Sequence, residues 1–270
     1  MNALEKLKSK NNEGKFICVG LDTDINKIPV HLRKMDEPVL EFNKSIINST
    51  VEYAAAFKIN FAFYESMGYK GLSALENTIK LIPEDVLIIA DAKRGDIGNT
   101  SAMYAKAVFD NMHFDSITVN PYMGEDSILP FLSYKDKIIF VLALTSNQGS
   151  DDFEKMKLVN GLFVFQQVIE KVKTWNKNNN CGIVFGATKP EELKQNIQSF
   201  DKLPVLLPGV GAQGGSLEDV VTAFKQNGRD NYIINVSRGI IYKSNNMDFY
   251  KAAENEIKAL NNNVNKLLGY

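Results

Sequence analysis

Histidine and cysteine are nearly missing from this sequence, with two of each in 270 residues. Cys18 and Cys181 lie inside separate apolar runs and form neither a disulfide framework nor a metal-ligand spacing. They fit a reduced, cytoplasmic protein. His31 and His113 stand beside no strand-end acid or nucleophile, which argues against a Ser-His-Asp arrangement. No His/Cys/Glu cluster supports zinc, so neither a metal nor a cofactor is expected. An excess of one charge is missing too: 31 Lys and Arg oppose 32 Asp and Glu, for a net charge of -1. Without a basic field, neither nucleic acid nor an anionic membrane is an expected partner. The N-terminal MNALEKLKSKNNEGK lacks the apolar core of a signal peptide. The longest apolar runs, around VLIIA and IIFVLAL, are too short to cross a bilayer.

What is present is a water-soluble composition, 44% hydrophobic and 23% charged, with enough length for one large barrel or two small domains. Short apolar runs recur along it: 16–20, 54–60, 86–91, 116–120, 138–144, 181–186, 205–209 and 232–236. Continuous apolar runs of this length suit parallel strands, which are covered on both faces. Helix-like stretches lie between them. PEELKQNIQSF and SLEDVVTAFKQNG each open on Pro or Ser with an acidic first turn, and the second ends at Asn227-Gly228, a C-cap signal. Strand and helix alternating in this way, with no Pro/Gly/Ser-rich linker, predict an α/β fold. The expectation is a single-domain (β/α)8 TIM barrel over residues 1–270. The fifth unit carries a longer polar excursion near 147–161. Trp175, Phe57, Phe61 and Phe63 are read as core or subunit-contact residues.

In such barrels the reactive groups sit at the carboxyl ends of the strands. Walking those ends gives Asp22, Lys58, Asn60, Asp91, Lys93, Asp96, Asn120, Thr145, Ser146, Thr188, the 208–215 loop, Ser237 and Arg238. The densest group is DAKRGD, Asp91 to Asp96. A period of two points Asp91 and Lys93 to one side and Ala92 to the other, while Gly95 permits a turn that brings Asp96 back or aims it elsewhere. With Lys58 from the preceding strand this makes an alternating Lys, Asp, Lys, Asp set. Two readings stand. One is an ion-pair network closing the rim; the other is Lys93 held protonated between two carboxylates, as a proton donor and partner for a developing carbanion.

The second signal is PGVGAQGG, Pro208 to Gly215, ahead of a helix near Ser216. It contains G-x-G-x-x-G, but in the seventh unit, and Asp230 precedes the next strand instead of ending it, so a dinucleotide site is disfavoured. A phosphate cradle fits better. Glycines let backbone N–H groups approach an anion, and Arg238, after the eighth strand, can grip it through its guanidinium.

On GLD (Gly20 to Asp22), FKINFAFYE, DAKRGDIGNTS, LALTSNQGS, LPGVGAQGG and SRGII, the chain closely resembles the orotidine 5'-phosphate decarboxylases, in particular their longer bacterial subgroup, type 2. The resemblance covers almost the whole chain and implies a barrel, a homodimer with sites at the subunit contact, and conversion of orotidine 5'-phosphate to UMP without a cofactor. It makes Lys93 the proton donor to the pyrimidine C6. Asp91 would crowd the substrate carboxylate and hold Lys93, and Lys58 would complete the network and bond the ribose. Asp96, with Thr100 on the same segment, matches an aspartate placed in the partner subunit's site. Asp22 resembles a ribose ligand and Ser146 a pyrimidine-edge ligand, with Thr145 as its alternative. Pro208, Gln213 and Arg238, with backbone N–H groups around Gly215 and Gly239, resemble the phosphate grip. The rivals are a magnesium-dependent sugar-phosphate decarboxylase or aldolase of the same barrel group, and a non-catalytic phosphate-binding protein.

Overall fold

Strands that are apolar on both faces need cover on both sides, and this chain supplies it by closing its sheet into a tube wrapped in helices. A computed structural model describes residues 1–211 and 214–269. The strands are β1 (Ile17–Gly20), β2 (Ala56–Asn60), β3 (Leu87–Arg94), β4 (Ser116–Val119), β5 (Ile138–Leu144), β6 (Cys181–Phe185), β7 (Val205–Pro208) and β8 (Tyr232–Val236). They pair in parallel in chain order and close β8 onto β1. The expected TIM barrel is therefore the fold. The runs at 138–144 and 232–236 coincide with β5 and β8, whereas β2 starts at Ala56 and β3 runs on to Arg94.

The period of two sorts the strand residues into two cores. Cys18, Ala56, Leu87, Ile89, Ile138, Phe140, Val184, Leu206 and Ile233 fill the barrel interior, whereas their neighbours Ile17, Val19, Phe57, Ile88, Ile139, Ile183, Val205 and Ile234 pack outward against the helices. Trp175 and Phe61 join that outer core, and Phe63 packs half-buried against it. Gly182 makes room inside: a Cβ there would lie 2.7 Å from the Phe140 ring.

The first helix, α1 (Ala3–Asn12), closes the amino-terminal end of the tube. An Asn2/Glu5 capping box starts it, and its Ala3 and Leu7 enter the interior core. Lys6 pairs with Asp115 at 2.8 Å and Lys10 with Asp85 at 2.6 Å, fixing the plug to the β3 and β4 approaches. With this end filled, the open end at the strands' carboxyl termini is where polar side chains gather. The expected helix starts hold: Pro190 is the first residue of the helix Pro190–Asn196, and Ser216 caps the helix Leu217–Gln226 by accepting from the Asp219 N–H. The segment after β5 runs through a turn at Gln148–Asp151 and an antiparallel bridge between Lys157 and Phe163 before the helix Val164–Trp175.

Candidate active site

Residues at inward positions near the ends of β2, β3 and β4 are polar, although Ala56 and Ile89 below Lys58 and Asp91 belong to the apolar interior. Lys58, Asp91 and Thr118 are 3%, 9% and 1% exposed, so each must find a partner within the protein. They find one another. Asp91 Oδ2 accepts from Lys58 Nζ at 2.7 Å, and its Oδ1 accepts from Lys93 Nζ at 2.6 Å and from Thr118 Oγ1 at 3.0 Å. The Asp22 carboxylate, beyond the end of β1, stands 3.6 Å from Lys58 Nζ.

The electrostatics follow from this packing. Burial alone would raise the Asp91 pKa, but the Lys58 and Lys93 ammoniums outweigh it and hold the carboxyl well below the usual range. Burial alone would lower the Lys58 pKa, but Asp22 and Asp91 outweigh it and hold the amine above its usual value. Both shifts favour the charged pair. The depressed Asp91 pKa stabilises the fold fully above about pH 4, and that contribution is lost as pH falls through the folded value. The raised Lys58 pKa stabilises it fully below about pH 10, and that contribution is lost as pH rises through the folded value. The Tm gap between the native chain and Asp91→Asn should accordingly be constant from about pH 5 to 9 and narrow below about pH 4. A gap that widens on acidification would contradict the assignment.

Above this floor opens a cavity of about 450 Å³. Leu142, Val184 and Leu206 give it an apolar side, while Asp22, Lys93, Ser146, Pro208, Arg238 and Gly239 give it polar and backbone walls. The Lys93 side chain is half exposed, and the space it faces is this cavity. Among the described residues, three oxygens of cavity-lining side chains are buried without a hydrogen bond: Asp22 Oδ1, Asn235 Oδ1 and Ser237 Oγ. Buried polar atoms ordinarily have partners.

Of the expected site residues, Lys58, Asp91, Lys93, Asp22, Ser146, Pro208, Arg238 and Gly239 come together around one cavity. Asp96 and Thr100 do not. Lys93 takes φ 47° at an irregularity in the β3–β4 pairing, and Gly95 then passes so close to Asn120 that a Cβ would meet its carbonyl at 2.8 Å. The chain leaves the barrel there for the helix Gly98–Lys106, which carries Thr100, and the Asp96 carboxylate accepts from the Ile97 N–H. Within the described residues of this chain Asp96 makes no ion pair, so a Lys93 flanked by two carboxylates is not assembled inside a single subunit. Lys93 has one carboxylate, Asp91; it is Lys58 that lies between two.

The glycine loop folds tightly after β7, with Gly209, Gly211 and Gly214 at φ 102°, 76° and 90°. The Gly215 N–H donates to the Gly209 carbonyl at 2.9 Å, and Gly215 does not line the cavity, so that N–H faces the loop and not the ligand space. Gln213 lies outside the described residues. At the end of β5, Glu154 accepts from the Thr145 N–H at 2.7 Å and the Thr145 hydroxyl at 2.8 Å. That engagement ties Thr145 to the excursion. Thr118, Glu154 and Asn235 were not among the expected residues, yet all line the cavity. Asn235 was visible as a lone amide inside YIINV and Thr118 as an inward position of SITVN, whereas Glu154 has no local signal.

Comparison with known proteins matches residues 15–253 to the model of the orotidine 5'-phosphate decarboxylase / HUMPS family. Orotidine 5'-phosphate decarboxylase of Porphyromonas gingivalis is 51% identical over 248 residues, covering 91% of this chain and 90% of that one. Among solved structures, OMP decarboxylase of Leishmania donovani superposes with TM-score 0.82 at 36% identity, covering 97% of this chain and 99% of that one. UMP synthase of the same organism superposes with TM-score 0.85 at 37% identity; the chain covers 57% of its length, with 97% of this chain aligned.

Proposed function

The chain belongs to the orotidine 5'-phosphate decarboxylase / HUMPS family, and from that premise we propose that its barrel mouth converts orotidine 5'-phosphate to UMP and carbon dioxide, the closing step of UMP synthesis. The observation that carries this reading is the Lys58–Asp91–Lys93 array on the floor of the cavity. Breaking the bond between C6 and its carboxyl group releases carbon dioxide and leaves the electron pair on C6, in an orbital that the ring π system cannot absorb. An ammonium fixed beside that carbon stabilises the charge as it forms and then donates its proton to C6, yielding UMP and a neutral Lys93 amine that solvent reprotonates.

Asp91 has two roles in this account. It fixes Lys93 at 2.6 Å, and its own buried negative charge opposes the substrate carboxylate, a repulsion relieved when carbon dioxide leaves. The apolar side formed by Leu142, Val184 and Leu206 lowers the local dielectric, which strengthens the attraction between ammonium and carbanion. Asp22 and Lys58, which line the cavity side by side, suit the ribose hydroxyls. Ser146 suits the pyrimidine edge, its rival Thr145 being held by Glu154. Pro208, Arg238 and Gly239, which line the same cavity, suit the phosphate end of the substrate, and Gln213 with the backbone around Gly215 would complete the grip.

Asp96 and Thr100 would act across a homodimer interface. Their positions away from the chain's own cavity support this, as do the exposed apolar side chains of Ile97, Met103 and Tyr122 nearby in sequence. Mixing inactive Lys93→Ala chains with inactive Asp96→Ala chains should then restore about a quarter of native activity, since half of randomly paired dimers carry one intact site. No recovery on mixing would place Asp96 in its own subunit's site. The setting we propose is the cytoplasm, in keeping with buried, free Cys18 and Cys181.

The direct test mixes the purified chain with orotidine 5'-phosphate and follows the pyrimidine absorbance with and without EDTA. Turnover unaffected by EDTA supports the reading. Turnover only of a sugar phosphate, and only with added magnesium, would move the chain to the metal-dependent branch. Tight UMP binding with no turnover would make it a binding protein.

A further inference from the structure

We propose that Thr118 is a positioning residue for the charge array, its single hydroxyl fixing both the Asp91 carboxylate and the Lys93 backbone. The inference deepens the decarboxylase reading and rests on it. Thr118 Oγ1 accepts from the Lys93 N–H at 3.0 Å and donates to Asp91 Oδ1 at 3.0 Å. A hydroxyl has one proton. With the Lys93 N–H filling a lone pair, the proton is aimed at the carboxylate, and the hydroxyl has one orientation that satisfies both neighbours.

The location explains why such a group is needed. β3 and β4 lose register between Ala90 and Arg94, and Lys93 sits in that gap at φ 47°, a conformation that non-glycine residues rarely adopt. The Lys93 N–H bonds to a side chain there instead of to a strand carbonyl. Thr118 therefore holds the irregularity that turns the Lys93 side chain back onto Asp91. It also holds Asp91 during the reaction. When Lys93 gives up its proton, the carboxylate loses one of its two cationic partners, and Lys58 on Oδ2 and Thr118 on Oδ1 remain to keep it in place for the next cycle.

The test compares Thr118→Val, which keeps the shape and removes the hydroxyl, with Thr118→Ser, which keeps the hydroxyl and removes a methyl group. The valine variant should lower kcat about 10- to 100-fold while the Kd for UMP changes less than about threefold, and the serine variant should stay within about threefold of native kcat. A role in packing alone predicts the reverse, a harmless valine and an impaired serine. Native kcat in the valine variant, or equal losses in both, would overturn the proposal. If the valine chain does not fold, Thr118→Ala against Thr118→Ser isolates the hydroxyl in the same way. A crystal structure of the Val or Ala variant gives a reading without turnover: a rotated Asp91 carboxylate or a relaxed Lys93 φ supports the role, and unchanged positions contradict it. Failure of the native chain to decarboxylate orotidine 5'-phosphate would sink the functional reading alone and leave that structure to decide on Thr118.

Discussion

Lys93→Ala should lower kcat by about 10⁴-fold or more and leave a folded protein that still binds UMP. The size follows from the two roles joined in one amine. Proton donation by a placed acid typically contributes about 10²- to 10⁴-fold, and a charge aimed at a developing anion about 10²- to 10³-fold. Neither a water molecule nor Lys58 replaces it, because Lys58 is held by Asp91 Oδ2 and stands over Asp22. Folding should survive, since the Lys93 side chain is half exposed and Asp91 keeps Lys58 and Thr118 as partners after the substitution. Kinetics at saturating substrate, calorimetry with UMP and a thermal melt separate these effects. An alanine variant with more than about one per cent of native kcat would show that another group supplies the proton.

The second large effect is expected at the other end of the ligand. Arg238→Ala should reduce kcat/KM about 10²- to 10³-fold, with losses in both kcat and affinity. A guanidinium on a phosphate does nothing for the carbon that loses carbon dioxide, so any effect on kcat must come through ordering of the cavity wall. Arg238 opens the short helix Arg238–Ile241 directly after β8 and lines the cavity together with Pro208, Gly209 and Val210 of the glycine loop. The nucleoside orotidine, which lacks the phosphate, gives the control. Its slow turnover should be the same in the native and Arg238→Ala chains. An equal loss with the nucleoside would mean that the arginine supports the scaffold and not the phosphate.

The barrel was legible because buried parallel strands are written as unbroken apolar runs, and a run such as IIFVLAL leaves little freedom in where its strand begins and ends. The charge array was legible in part for the same reason. Lys58 and Asp91 stand inside runs where a charge is costly, so their presence demands a partner, and a period of two already put Asp91 and Lys93 together. Which way Asp96 points was left open, because its direction depends on the left-handed Lys93 and on Gly95 passing Asn120, neither of which has a local signature. Thr118 required the β3–β4 register, a long-range property. Glu154 reaches the cavity only because the excursion folds back onto β5, and nothing near it in the sequence announces that path.

The most direct test of the account is the structure of the chain with UMP bound. Lys93 Nζ should lie about 3 to 3.5 Å from the pyrimidine C6, the separation of a group poised for reaction, and keep its bond to Asp91. An Nζ turned to the outer solvent, or a nucleotide seated with C6 beyond reach of Lys93, would contradict the account.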